Sequence, residues 1–153
     1  MNEENDNIKI REDALKIKEK DIEDTLKSIH SENTKTSFAL AFESLLVVQS
    51  FEFLTQNSLW ITIPYRVIIS ISLLIAFYNL FAKKVYIHTN IDDIFSKKDE
   101  YNNWSKYLDD KYERFKQINT EAKRLLDKKA SYTRCTFILL GIAVLILLIG
   151  GIV

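Results

Sequence analysis

The sequence predicts an all-α membrane protein with three transmembrane helices and a cytosolic helical, coiled-coil-like portion. Three observations carry this. Charge and apolar residues are segregated: 1–35 and 83–134 are densely charged, 36–82 holds only Glu43, Glu52 and Arg66, and 135–153 holds no charge at all. Apolar runs are long and helix-compatible. Turn formers are scarce, with one proline (Pro64) and glycines only at 141, 150 and 151, which argues against a loop-rich or β-sandwich fold. The 153 residues make one domain by length, and the formal charge of zero gives no support for a nucleic-acid-coating surface.

The last span, "CTFILLGIAVLILLIGGIV" (Cys135–Val153), is about the length a bilayer core requires and has no polar face on any side. The second runs from Leu59 to Ala82 and stops at Lys83-Lys84. Pro64 falls in its first turns, where a missing N–H costs least, and Trp60 and Tyr65 suit the headgroup level. The first, Ser37–Leu54, is the shortest and carries two acids. "TQNS" (Thr55–Ser58) is the turn that makes the first two an antiparallel hairpin. The polar N-terminus carries no pattern of a cleavable secretory signal.

Positive residues set the orientation. Seven Lys and Arg precede the first span, thirteen lie between Lys83 and Arg134, and the hairpin end carries only Arg66. Positive residues favour the cytoplasm, so three spans with the N-terminus inside place both charged segments in the cytosol. Four segments result: 1–35 a cytosolic amphipathic helix, 36–82 a transmembrane hairpin, 83–131 a cytosolic helical segment, 132–153 a C-terminal transmembrane helix. With the hairpin centred near Leu59, Glu52 and Arg66 share a depth and form a structural ion pair, while Glu43 faces the level of Ile75. A lone intramembrane carboxylate is costly unless it is protonated and hydrogen-bonded. Two readings of Glu43 stand: a neutral acid satisfied by Ser72, Tyr78, Asn79 or Thr136, or a pore-lining, proton-sensitive residue.

The N-terminal segment repeats Ile8, Leu15, Ile22 and Ile29 every seven residues with Leu26 beside them, supported by Glu12–Lys16 and Glu23–Lys27 pairs, and ends near "HSENTK". Its thin seam needs a partner. Tyr101, Trp104, Leu108, Lys111, Phe115, Ile118, Ala122, Leu125 and Lys129 supply one in steps of three and four. Ser96 and Asp99 have capping-box spacing, so a helix from about Lys97 through Arg134 feeds the last span, after a connecting "NIDDIF" (Asn90–Phe95).

Catalytic chemistry is not expected. There is no phosphate-cradling Gly-rich loop and no nucleophile motif. One cysteine, Cys135, allows neither an intrachain disulfide nor a cysteine-built zinc site. His30 and His88 stand apart, and Asp92-Asp93 and Asp109-Asp110 read as solvated surface, so no metal or cofactor is expected. One constellation suits a ligand: Trp104, Tyr107, Lys111, Arg114 and Asn119, within a run where aromatic rings alternate with cations. Rings stack bases and cations hold phosphate. The competing reading is a helix seam with snorkelling lysines.

"NTKTSFALAFESLL" resembles the opening of the first membrane helix in Pycsar-type transmembrane effectors, small bacterial antiphage proteins encoded beside nucleotide cyclases. "INTEAKRLLDKKASYTRCTFILLGIAVLILLI" extends the resemblance, with an Asn-containing cytosolic helix feeding a final span through a Lys-rich end. On it, Asn33, Thr34 and Lys35 fall on the opening motif, Asn119 on the cytosolic asparagine, and Lys128 or Lys129 on the basic juncture. Glu43 replaces the family's polar asparagine, and Thr36-Ser37 replace a small Ala-Gly pair. The resemblance implies an inner-membrane effector that responds to a cyclic nucleotide from a neighbouring cyclase, disrupts the membrane and arrests or kills the infected cell; with the three spans read above, the expectation is a multi-pass homo-oligomer. Its implied partners are that nucleotide and the lipid bilayer, with no nucleic acid. Two other functions suit the same pattern: a membrane-anchored coiled-coil adaptor, and a constitutive holin-like toxin.

Overall fold

The structure, a computed structural model, describes residues 2–56, 59–81 and 104–150, with side chains for all of these except 2–6, 49 and 51–56. Every described residue is helical: α1 is Asn2–Gln56, α2 is Leu59–Phe81 and α3 is Trp104–Gly150. The expected helix start at Lys97, the "NIDDIF" connection, Tyr101 and His88 lie outside the described residues.

α1 passes through "HSENTK" without the expected break. No glycine or proline occurs before Pro64. The hydroxyls that would otherwise favour a cap bond back into their own helix, Thr34 to the His30 carbonyl at 3.1 Å and Thr36 to that of Glu32 at 2.9 Å. Pro64 is likewise absorbed near the start of α2.

The chain divides into two compact units: residues 1–28 with 85–126, and 29–84 with 127–153. In the first, Leu15 and Ile22 pack with Tyr107, Leu108 and Phe115, flanked by Ile8, Tyr112 and Ile118. Arg11 ties α1 to α3 by reaching Asp109 at 2.8 Å and the Ser105 hydroxyl. Leu26, expected beside the seam, is exposed, and Thr25 is buried in its place. On α3 the line Leu108–Phe115–Ala122 is buried as expected, but the flank buried with it is Tyr107 and Asn119, with Trp104 exposed and Lys111 and Ile118 only half-buried. Lys16 pairs with Asp13 rather than Glu12, while Glu23–Lys27 forms at 2.7 Å.

In the second unit, hydrogen-bonded pairs between α1 and α2 have sequence separations of 15 (Ser50–Tyr65), 29 (Glu43–Ser72) and 43 (Thr36–Asn79), so the two helices are antiparallel. Pairs between α1 and α3 keep a constant separation, 96 for Asn33–Lys129 and 97 for Thr36–Thr133, so these two run parallel. This register lies three residues from the one expected for a reversal centred at Leu59. Glu43 meets Ser72 rather than the level of Ile75, and Glu52 moves one turn off the level of Arg66. Arg66 is exposed, and the Glu52 side chain lies outside the described residues.

Two helices, α2 and α3, are long and apolar enough to cross a membrane, and only 28 % of each apolar window is buried. The core helix of a soluble protein would bury most of such a window.

Candidate functional site

Buried positions recur every seven residues along each helix of the second unit. On α1 they are Ile29, Thr36, Glu43 and Ser50; on α2, Tyr65, Ser72 and Asn79; on α3, Lys129, Thr136 and Ala143. The same period carries Leu15 and Ile22 on α1 and Leu108, Phe115 and Ala122 on α3. The spacing therefore persists while its chemistry inverts. In the charged half of each long helix the buried residues are mainly apolar; in the apolar half they are mainly polar, and Phe38, Leu45, Val48, Val67, Leu74 and Leu145 face outward.

This polar seam has three levels. At the first, Asn79 Nδ2 donates to Thr36 Oγ1 (2.9 Å), Thr133 Oγ1 (3.1 Å) and the Lys129 carbonyl (3.3 Å). The Thr36 and Thr133 hydroxyls lie 3.0 Å apart and each also reaches a carbonyl of its own helix, Glu32 and Lys129, while their lone pairs accept from the amide. Lys129 Nζ donates to Asn33 Oδ1 at 2.9 Å and to the Asn79 carbonyl at 2.6 Å. At the second level the Ser72 hydroxyl contacts Glu43 Oε1 and lies 3.3 Å from the Thr136 carbonyl. Glu43 is 0 % exposed, and no cation pairs with it among the described residues. At the third, Ser50 and Tyr65 share a hydrogen bond of 3.0 Å. Tyr65, expected at the headgroup level, is only 1 % exposed and points inward; Trp60, at 89 %, points outward.

Two acceptors on this seam, Glu43 Oε2 and Asn79 Oδ1, have no hydrogen-bond partner among the described residues, and Asn119 Oδ1 in the first unit is the third such atom there. Buried acceptors of this kind are hydration points or meet a partner in another arrangement.

Lys129 is 3 % exposed and has no carboxylate partner among the described residues. Burial pushes its ammonium below the ordinary lysine range. The unfolded chain then holds that proton more tightly than the folded one, so stability rises with pH between the folded value and the ordinary one near ~10.4. The thermal midpoint of the detergent-solubilised protein is expected to climb from neutral to alkaline pH, and the climb to vanish in Lys129→Met. Equal slopes in both proteins would mean that the ammonium is hydrated rather than buried.

The residues expected to bind a ligand are distributed differently. Tyr107 is buried in the first unit's core, with Trp104 stacked on it at 5.0 Å. Lys111 lies 5.4 Å over the Phe115 ring, Arg114 pairs with Asp110 one turn back, and Asn119 is buried. A groove of about 210 Å³ is lined by Arg11, Ala14, Leu108, Asp109 and Tyr112, and another of about 260 Å³ by Glu113, Lys116, Gln117, Thr120 and Glu121. Both fall below the roughly 300–1,000 Å³ usual for a small-molecule site, and neither gathers the expected set. By contrast, Asn33 and Lys129, which the family resemblance picks out separately, are in direct contact, while Thr34, Lys35 and Lys128 are exposed. Thr36, Asn79 and Thr133 are the site residues that sequence reasoning did not assemble. The seven-residue spacing of Tyr65, Ser72 and Asn79 was the available signal.

The chain matches no protein-family model, no curated protein and no solved structure.

Proposed function

We propose that this protein is an inner-membrane effector of antiphage defence, activated by a cyclic nucleotide from a neighbouring cyclase to depolarise the infected cell. The observation that carries the reading is the inversion in the second unit, where polar side chains line the inside and apolar ones the outside. That is the arrangement of a bundle solvated by lipid, since only there does an apolar exterior cost nothing and a polar interior give adhesion. α1 supplies the third span. Its Glu43 and Ser50 lower an average hydropathy that ignores direction, but they point inward while Phe38, Phe42, Leu45 and Val48 point outward. The N-terminus then lies in the cytoplasm with the first unit, whose parallel seams from α1 and α3 form the coiled-coil-like receiver of the signal. The resemblance to Pycsar-type effectors supplies the class of signal, and the Asn33–Lys129 contact supports it by joining two of its motifs. Homo-oligomers of the activated bundle breach the bilayer.

Expression with and without a co-expressed nucleotide cyclase, read by a membrane-potential dye, tests this. Depolarisation is expected only with the cyclase product. Depolarisation without it would favour the holin-like reading, and none in either case the adaptor.

A further inference from the structure

From Thr36–Asn79 to Ser50–Tyr65 the polar seam runs fourteen positions along α1, about 21 Å at ~1.5 Å per residue, with Asn33–Lys129 at its cytosolic end. That is most of the roughly 30 Å thickness of a bilayer core. Its two interruptions differ in kind. Between the Asn79 and Glu43 levels stand Ala39 and Ala76, both fully buried and among the smallest side chains. The acceptors left open, Asn79 Oδ1 and Glu43 Oε2, belong to the levels on either side of these alanines. Between the Glu43 and Tyr65 levels stand Leu46 and Ile69, large apolar side chains with Ala143 of α3 at their level, in one packed cluster with Tyr65 and with Leu140, which lies at the Glu43 level. At the first interruption small side chains stand beside two open acceptors that water would satisfy; the second offers water nothing.

We infer that the Leu46–Ile69 layer is the closed gate of a proton path that runs along the seam. This rests on the membrane reading above and deepens it by naming what passes and where passage is blocked. An apolar constriction stops conduction by excluding water, and it opens when it widens or becomes polar. The seam side chains are buried throughout, which leaves no bore for a hydrated ion. They do include groups that hold or hand on protons: the hydroxyls of Thr36, Ser72 and Tyr65, the Glu43 carboxyl and the Lys129 ammonium. Glu43 sits directly inside the gate. It takes a proton from water on the alanine side and releases it to water that crosses the layer once the layer parts.

The full-length protein in liposomes, with a pH dye inside and proton entry driven by a potassium diffusion potential through valinomycin, tests this without any activator. Wild type is expected to stay closed. Ile69→Ser should raise proton entry about tenfold or more while trapped calcein is retained. Adding Glu43→Leu to Ile69→Ser should return entry to the closed level. Leu46→Thr is made in parallel, so that one variant that fails to insert leaves the other to decide. Inserted, helical variants that stay closed would overturn the gate, and release of calcein with protons would overturn the proton path. Neither result bears on cyclase-dependent depolarisation in cells, whose own failure would sink the effector reading instead.

Discussion

Asn79→Leu is expected to cost the second unit about 2 kcal/mol, the largest loss of stability from any single change along the seam. One side-chain amide donates to Thr36, Thr133 and the Lys129 carbonyl, so it joins α2 to both other helices at one level. Hydrogen bonds between membrane helices average ~0.6 kcal/mol each and reach ~1.7, and three lost together bring about 2 kcal/mol. Leucine also forces a branched apolar side chain against two hydroxyls and a lysine. Ser50→Ala, which removes one shared bond to Tyr65, is the comparison and should cost well under half as much. Thermal unfolding in detergent gives both values. If Asn79→Leu were no worse than Ser50→Ala, the amide would be satisfied elsewhere and the three-helix junction would not hold the bundle.

The two apolar helices that the structure contains were legible because they depend on composition over a long window. The depth at which the first two helices meet was not. A hairpin's register is set by where each helix ends, and "TQNS" offers several reversals of equal quality. Moving the centre from Leu59 toward Asn57 turns an expected Glu52–Arg66 level into one that joins Glu43 to Ser72. Tyr65 misled for a related reason. An aromatic hydroxyl at a span's end suits the interface, but the same ring suits a bundle interior once a serine lies at its level, and only the register decides.

The seven-residue repeat was half read. Ile8 to Ile29 on α1 stood out because the buried residues are apolar among charges. The continuation through Thr36, Glu43 and Ser50 is the same repeat with the contrast reversed, polar among apolar residues, and a search for apolar periodicity cannot register it. The aromatic and basic run on α3 was ambiguous in principle. Rings alternating with cations serve equally to stack a base or to fill a seam edged by lysines. Tyr107 in the core and Lys111 over Phe115 assign those two side chains to packing.

Glu43→Gln and Glu43→Leu are expected to insert and fold like wild type, yet to abolish depolarisation. Glutamine keeps the acceptor that Ser72 contacts and places an amide where Oε2 now has no partner, so the resting bundle loses nothing. Leucine removes both oxygens. The Ser72 hydroxyl keeps the Thr136 carbonyl at 3.3 Å and the unpartnered Oε2 is gone, so this variant should unfold near the wild-type temperature. Neither side chain can take up and release a proton, and leucine also extends the apolar layer of Leu46 and Ile69 toward Ala39 and Ala76. Stability should therefore hold while activity is lost, a separation that a purely structural residue cannot produce. Glu43→Lys differs, because an ammonium at this depth costs insertion itself, roughly 2.5–3.5 kcal/mol at a span's centre, so its inactivity alone would say little. The comparison is made at matched membrane levels, with potential read by dye and folding by thermal scan. Full depolarisation by the inserted Gln and Leu variants would remove Glu43 from the mechanism and leave the acid as one more hydrogen-bonding group between helices.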